Sequence, residues 1–303
     1  MAYIDRFKFH YQKDFTDQIP YEGREFEAAL YQKDGAIAFI TLNRPEKRNA
    51  IDDNVFLDLM AGLHAAREDD EVRVVVIRGA GLSFSSGHDL SGPSGQETPP
   101  VPPTANPTVR DYLNVERRRC GKYEDLLHFP KPTIAQVHGA CIGAGEFIHA
   151  SCDFTIAADD AIFGASGFGR YTGGVQDWPL WPVGSERFRA GKLTLEITGQ
   201  EAAELGLVNR SVPLDDLDDE VRRWADRLAV LPADSLLLAR EWLNGTLDVT
   251  GIGVAWRSHY AGHLAIQWIR FQPDEVNFYK ARRDRGLRGY FATRAVQATA
   301  GAE

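Results

Sequence analysis

The sequence predicts an α/β fold with a helical C-terminal region, and three features lead to this prediction. Short runs of branched apolar residues alternate with stretches of helical periodicity as far as about residue 213. From Asp215 onward the pattern is mostly helical. Glycine-rich turns follow several of the predicted strands. We therefore expect an N-terminal extension over 1–28, an α/β core over 29–213 and a helical region over 214–303.

Strands are predicted where apolar and β-branched residues form short runs between turn-forming residues. In chain order, these runs are Ala36–Leu42, Val72–Arg78, Thr133–Val137, Phe154–Ala158 and Gly206–Pro213. A further strand-to-turn passage covers Ser83–Leu90. The first two runs are almost entirely apolar, so we expect these two strands to be buried.

Helices are predicted where apolar residues recur on one face after a capping residue. Asp52 or Asp53 caps the first helix, which reaches about Arg67. The other predicted helices span Val109–Leu127, Glu146–Ser151, Ser185–Leu195, Gly199–Leu205, 216–229, 234–245, 251–270 and 273–284. Six of the 15 prolines lie in Ser91–Val109, which predicts a long surface loop.

Composition excludes several classes of function. Hydrophobic residues make up 44% of the chain and charged residues 25%, which is ordinary for a soluble globular protein. A net charge of -9 argues against a nucleic-acid partner, and no apolar run is long enough to span a membrane. The three cysteines form no CxxC pair, so we expect no metal site and no disulfide framework. The first residues lack the core of a signal peptide, so we expect a cytoplasmic protein.

The stretch Gly139–Gly174 carries the strongest functional signal. In it, Gly143-Ala144-Gly145 opens an apolar helix, and a glycine-dense loop covers Gly164–Gly174. The first N–H groups of a helix have no intrahelical partner and lie at the positive end of its dipole. A second turn, Ser86-Gly87-His88-Asp89, follows a predicted strand. Two separated main-chain donors of this kind predict a site that stabilises negative charge on an oxygen atom.

Several motifs in order resemble those of the crotonase superfamily, also called the enoyl-CoA hydratase/isomerase family. The resemblance covers roughly 29–285 and is carried by IAFITLNRPEKRNAID, VRVVVIRGAGLSFSSGHDL, KPTIAQVHGACIGAGEFIHASCDFTIAADDAIFG, ITGQEAAELGLVNRSVP and FYKARRD. Within this family, 139–164 is most similar to the naphthoate synthase branch, which performs Dieckmann-type carbon–carbon chemistry.

The resemblance implies a crotonase fold, in which ββα turns form a spiral core and C-terminal helices form a trimerisation region. It therefore implies a homotrimer or homohexamer. It also implies that the N–H groups of His88 and Ala144 bind the carbonyl of an acyl-CoA thioester. Coenzyme A enters as part of the substrate, with no separate cofactor. The resemblance implies that Lys47, Arg48, Asn49 and Ala50 lie along coenzyme A, with Lys280 of a C-terminal basic cluster near its phosphates. Ser86, Gly87 and Asp89 of the turn are further candidates for substrate binding.

The chain departs from the family at both positions that carry glutamate in hydratases. The alignment through Cys152-Asp153 places the first glutamate at Phe147, one residue after Glu146. It places the second at Gly167. The naphthoate synthase branch has a short polar residue and glycine at Ser166-Gly167, and its serine falls on Thr172. Ordinary hydration of an enoyl-CoA is therefore disfavoured.

The remaining candidates each have a functional and a structural interpretation. Asp177 beside Trp178 is either a base with a raised pKa or a helix cap before Pro179. Glu146 and His149 share a helix face, as an acid/base pair or as a buried polar pair. Tyr171 is a possible phenol donor to an enolate. Asp89 is expected to fix its turn through local hydrogen bonds.

We therefore expect an enzyme, a lyase or hydrolase, that cleaves or forms a carbon–carbon bond in a bulky acyl-CoA through an enolate. Glu146 and Asp177 are the first candidates for the base. The aromatic residues Phe147 and Trp178 indicate a bulky apolar acyl group. Two alternatives remain open. One is a divergent enoyl-CoA hydratase or isomerase, and the other is an inactive member that only binds acyl-CoA.

Overall fold

The computed structural model describes residues 24–89, 113, 117, 121–164, 196–252, 272–273, 280 and 284–286. Several sequence predictions lie wholly or mostly outside these ranges. They are the N-terminal extension, the proline-rich loop, the first part of the helix over Val109–Leu127, the glycine-dense loop after Gly164, the helix over 185–195 and the last two helices.

The core contains a six-stranded sheet with the strand order β1-β2-β3-β4-β6-β9. Its first two strands are antiparallel, and every other neighbouring pair is parallel. The strands are β1 (Ala29–Asp34), β2 (Ile37–Leu42), β3 (Val74–Gly79), β4 (Thr133–Val137), β6 (Phe154–Ala158) and β9 (Arg210–Val212). A second sheet of three short strands has the order β5-β7-β8, with β5 at Ala140–Ile142, β7 at Ile162–Gly164 and β8 at Ile197–Thr198.

Helices connect and cover these strands. In chain order they are α1 (Asp53–Glu68), α2 (Ala144–Ser151), α3 (Gly199–Glu204), α4 (Leu217–Ala229) and α5 (Ala233–Val249), with a further helical segment over 121–127. The side chain of Asp52 caps α1 by accepting from the N–H of Val55 at 3.0 Å. None of the helices within the described ranges is long and apolar enough to cross a membrane. The predicted α/β fold class is confirmed.

Two details of the prediction were wrong. The return strand is only Arg210–Val212, because the left-handed Gly206 ends α3 and residues 205–209 form turns before the strand begins. Sequence analysis also missed β1, β5, β7 and β8, which are two to six residues long. Strands this short give a weak periodic signal, and β1 (ALYQKD) is half polar because one of its faces is exposed.

A buried arginine joins α5 to the sheet. Arg240 donates to the carbonyls of Phe129 at 2.5 Å and Leu127 at 3.4 Å, and it forms an ion pair with Asp153. The Asp153 carboxylate also accepts from the N–H and hydroxyl of Thr133, the first residue of β4. Burial lowers the pKa of Arg240 to about 10, still far above neutrality, so the guanidinium stays charged.

We predict that Arg240→Met lowers the free energy of unfolding by about 3 to 5 kcal/mol, because it leaves the partly buried Asp153 without its ion pair. Arg222→Met is the control, since Arg222 pairs with Asp34 and Asp226 at the surface. It should cost at most about 1 kcal/mol. Urea denaturation of both variants checks the prediction. Equal, small losses would contradict the anchoring role of Arg240.

A second prediction concerns pH. Burial raises the pKa of Asp125 to about 6, while the nearby Arg67 acts in the opposite direction. The folded state therefore holds this proton more tightly than the unfolded state. The resulting stability is fully present below about pH 4 and is lost as the pH rises through about 6. Asp125→Asn cannot ionise, so it should be more stable than the parent protein at pH 8, by up to about 3 kcal/mol. Thermal unfolding from pH 4 to pH 8 measures this difference, and a difference independent of pH would refute it.

Candidate active site

Three neighbouring parallel strands deliver their following loops to the same edge of the sheet. The strands β2, β3 and β4 lie side by side, and their carboxyl ends point the same way. The segments 43–52, 80–89 and 138–147 therefore converge at this edge. The carboxyl edge of a parallel sheet is where ligands commonly bind in α/β proteins.

The turn over 83–89 is paired with the first of these segments. The N–H of Ile51 donates to the carbonyl of Gly87, and the N–H of Asp89 donates to the carbonyl of Ile51, both at 2.8 Å. This pattern is a parallel bridge between Ile51 and His88. In an extended chain, successive N–H groups point to opposite sides. Since the N–H of Asp89 points towards Ile51, that of His88 points away from it.

The third segment lies on the other side of the same turn. The N–H of Ser85 donates to the carbonyl of Ala140 at 2.8 Å, and the N–H of Ile142 donates back to the carbonyl of Ser85 at 3.0 Å. This pairing fixes the distance between the turn and the start of α2, which begins at Ala144 two residues later. We therefore expect the His88 N–H, which points away from Ile51, to face the start of α2.

Gly87 allows the turn and the helix start to approach each other closely. Its φ of +93° lies in the left-handed region. A Cβ atom at this position would lie 2.9 Å from the carbonyl oxygen of Ile142 and 3.6 Å from the nitrogen of Ala144. Ala144 is the first residue of α2, so its N–H has no intrahelical acceptor. The donors of His88 and Ala144 thus lie close together, across a space that only glycine leaves open.

A buried asparagine of the predicted coenzyme A segment ties two of these loops together. The side-chain nitrogen of Asn49 donates to the carbonyls of Ser83 at 2.7 Å and Ala80 at 2.8 Å, and its oxygen accepts from the N–H of Arg44 at 2.8 Å. Its φ of +54° is left-handed, a conformation that asparagine tolerates well. The hydroxyl of Ser85 donates to the Asn49 carbonyl at 2.8 Å and accepts from the N–H of Gly87 at 3.2 Å.

Asp89 does more than fix its own turn, which corrects the sequence-based expectation of local bonds. Its carboxylate oxygen Oδ2 accepts from Arg44 Nη2 at 2.8 Å and from Lys47 Nζ at 3.0 Å. These partners are 45 and 42 residues away in the chain, so no local pattern reveals them. Of the residues predicted to lie along coenzyme A, Arg48 is left-handed and exposed, and Ala50 is buried. Ser86, a candidate for substrate binding, donates its hydroxyl to the carbonyl of Lys47 at 3.2 Å.

The helix α2 places its side chains in the interior. Glu146 is 3% exposed. His149 is buried with Nδ1 3.1 Å from the hydroxyl of Thr155, and its ring lies edge-on to Phe163. The partners of His149 on β6 and β7 favour the structural interpretation for this residue.

An aromatic cluster lies one turn into α2. The ring of Phe147 packs edge-to-face on Tyr123, and Tyr123 packs in the same way on Phe56, with centroids 5.3 and 5.2 Å apart. Phe56 lies in the first turn of α1, just after Ile51. The cluster therefore joins the helix starts on the two sides of the turn.

Six predicted site residues lie outside the described ranges, and the structure says nothing of them: Ser166, Gly167, Tyr171, Thr172, Asp177 and Trp178. Lys280 is described and is exposed. The structure therefore brings together the main-chain donors and the predicted coenzyme A segment 47–50, and it leaves the base unassigned.

Comparison with known proteins identifies the family. The family model for enoyl-CoA hydratase/isomerase matches residues 32–255. A protein of Mycobacterium tuberculosis that carries the name enoyl-CoA hydratase EchA13 is 35% identical over 249 residues, which are 77% of this chain and 78% of that protein. The chain belongs to the enoyl-CoA hydratase/isomerase family, that is, to the crotonase superfamily.

Solved structures support the same fold. An enoyl-CoA hydratase/isomerase from Xanthobacter autotrophicus Py2 is 32% identical, with a TM-score of 0.77, over 90% of this chain and 99% of that one. An enoyl-CoA hydratase from Mycobacterium smegmatis is 27% identical, with a TM-score of 0.74, over 88% and 92% of the two chains. The predicted crotonase fold is confirmed.

We predict that Gly87→Ala lowers the free energy of unfolding by about 2 to 5 kcal/mol, from backbone strain and from the collision with Ile142. Gly35→Ala is the matched control, because Gly35 is also left-handed but has open space around its Cβ position. It should cost only about 1 to 2 kcal/mol. Denaturant unfolding of both variants decides the question. Equal losses would mean that the turn does not press against the start of α2.

Proposed function

We propose that this protein is an acyl-CoA enzyme that stabilises an enolate on the N–H groups of His88 and Ala144. The observation that carries the proposal is the close approach of the turn to the start of α2 at Gly87. Both N–H groups lie beside the small space between these two segments. Membership of the enoyl-CoA hydratase/isomerase family supports an acyl-CoA thioester as the ligand. The positive end of the α2 dipole adds to the attraction for a developing oxyanion.

The proposed chemistry passes through an enolate of the thioester. When a carbon–carbon bond is formed, the α C–H bond breaks, the proton goes to a base, and the electron pair moves onto the carbonyl oxygen. When a β-keto ring is opened, a base takes a proton from water as the water oxygen bonds to the β-carbonyl carbon. The bond between that carbon and the α-carbon then breaks, its electron pair moves onto the thioester oxygen, and the α-carbon finally takes up a proton. The two N–H groups hold that oxygen, which is more negative in the transition state than in the ground state, so they lower the barrier. Glu146 and Asp177 remain the two candidates for the base.

The acyl group is proposed to be bulky and apolar. Phe147 occupies the position that the sequence alignment assigns to the first hydratase glutamate, and it is 8% exposed, packed on Tyr123. A phenylalanine there cannot transfer a proton to or from the water that a hydratase adds to its substrate. We therefore favour cleavage or formation of a carbon–carbon bond in a cyclic β-keto or diketone substrate over addition of water to a double bond.

A divergent enoyl-CoA hydratase or isomerase is the second candidate. The printed names of the Mycobacterium tuberculosis relative and of the Xanthobacter autotrophicus structure favour it. The two reactions differ in their products. Hydration gives a β-hydroxyacyl-CoA and isomerisation a shifted double bond. Hydrolytic ring opening gives the monothioester of a dicarboxylic acid from a cyclic β-keto acyl-CoA, and a keto acid from a cyclic diketone. An inactive member of the family would bind acyl-CoA and form none of these products.

We also propose that the protein is a homotrimer or homohexamer formed through its C-terminal helices. The side chains of Leu238, Trp242, Leu243 and Val249 on α5 are exposed, and Trp242 is 77% exposed. Burial of such side chains against a neighbouring chain is favourable. Lys47, Arg48 and Ala50 are proposed to contact coenzyme A, with Lys280 near its phosphates.

The test of the proposed function is proton exchange in heavy water. We expect the parent protein to exchange the α-protons of cyclohexylacetyl-CoA, as followed by mass spectrometry, and to open a cyclic β-keto acyl-CoA. Gly87→Ala should lower the exchange rate by about 100-fold or more, because it fills the space between the donors. Gly35→Ala should leave the rate unchanged.

Exchange that survives Gly87→Ala would refute the proposed site. Rapid hydration of crotonyl-CoA would favour the second candidate.

A further inference from the structure

A charged clamp holds the turn that carries the His88 donor. Arg44 uses both terminal nitrogens: Nη1 donates to the carbonyl of Ala50 at 2.8 Å and lies 2.9 Å from Asp52 Oδ2, and Nη2 donates to Asp89 Oδ2 at 2.8 Å. The Arg44 and Asp89 side chains are only 14% and 12% exposed. Ion pairs with so little contact with water are weakly screened, unlike pairs at an open surface.

The clamp spans the pairing that sets the direction of the His88 N–H. Asp89 is fixed twice, by its main-chain bond to Ile51 and by its carboxylate. Ala50 lies on the segment 43–52, which pairs with the turn, and its carbonyl accepts from the guanidinium of Arg44. Asp89, which follows His88, and Ala50, which precedes Ile51, are thus both bonded to the rigid guanidinium group of Arg44.

From this geometry we infer that Arg44 is a positioning residue for the oxyanion donor, acting through Asp89 and touching no reacting atom. This inference rests on the proposed function. A rotation of the peptide between Gly87 and His88 would swing the donor away from the substrate oxygen. The two bonds of Ile51 oppose this rotation, and Arg44 keeps both sides of that pairing in register. The result is a donor already aimed before the substrate arrives, which is the condition for electrostatic stabilisation of a transition state.

Lysine cannot fully replace arginine in this role. The planar guanidinium presents several donors in a fixed geometry, and it serves acceptors on two chain segments at once. Lys47 binds the same carboxylate oxygen, but its side chain is 42% exposed and it makes one contact there. A single exposed ammonium group is expected to contribute little to the position of Asp89.

The test measures kcat and KM separately for an acyl-CoA that the parent protein turns over or exchanges. The variants are Arg44→Met, Arg44→Lys, Asp89→Asn and the double variant Arg44→Met/Asp89→Asn. The control is Arg78→Met, because Arg78 is a half-buried arginine of β3 that donates to Thr41 at 3.1 Å and lies over the ring of Phe39.

Arg44→Met should lower kcat by about 10- to 100-fold, with KM close to that of the parent protein, because misplacement of a donor weakens transition-state stabilisation selectively. Arg44→Lys should recover part of kcat. Asp89→Asn should resemble Arg44→Met, and the double variant should be no worse than either single variant, since the two residues act as one unit. The Arg78→Met variant should keep the parent kcat.

Loss of stability with unchanged kcat in the folded fraction would overturn the inference and leave the proposed function standing. So would additive losses in the double variant. If Arg44→Met fails to fold, Arg44→Lys and Asp89→Asn decide the question by the same readout. A parent protein without turnover or exchange on any acyl-CoA would overturn the proposed function, and this inference with it.

Discussion

The whole arrangement depends on the buried side-chain amide of Asn49. Three loops leave neighbouring parallel strands at one edge of the sheet, and loops are the parts of a fold with the greatest conformational freedom. Asn49 lies on the same loop as Arg44. Its two N–H donors bond to the loop that carries His88, and its oxygen accepts from the N–H of Arg44. A buried amide that lost these partners would leave several polar groups unsatisfied, at about 1 to 3 kcal/mol each. These bonds restrict the conformation of the turn and so help to define the position of the main-chain donor on it.

The sequence predicts well what depends on neighbouring residues. Thr133–Val137 and Phe154–Ala158 are strands with the predicted bounds, and Asp52 caps α1 as its position before an apolar helix indicates. The helix predicted over Glu146–Ser151 ends as predicted but begins two residues earlier, at Ala144. The contacts that hold the site, in contrast, join residues that are far apart in the chain. Asp89 and Arg44 are 45 residues apart, and Asn49 and Ser83 are 34 apart. No periodicity or cap signal records such pairs, so the clamp and the buried amide could be found only in the structure.

The scaffold and the chemistry are separable in this molecule. The main-chain donors come from the turn at Gly87 and from the first residue of α2, and their position depends on packing that any member of the family can share. The proton-transfer groups are side chains and can change without disturbing that frame. Phe147 illustrates this freedom, since an aromatic cluster with Tyr123 and Phe56 fills the place where the alignment puts a glutamate. The fold alone therefore does not establish the reaction, which depends on the individual side chains of the site.

The central claim is that two main-chain N–H groups polarise a thioester carbonyl, and a spectroscopic measurement tests it most directly. The probe is an unreactive acyl-CoA thioester whose carbonyl carbon is labelled with carbon-13. The frequency of its carbonyl infrared band reports the strength of the hydrogen bonds that the carbonyl accepts when it is bound. The account predicts a shift to lower frequency on binding to the parent protein and to Gly35→Ala, and a much smaller shift with Gly87→Ala. A bound thioester whose carbonyl band stays at its position in water, or shifts equally in both variants, would contradict the account.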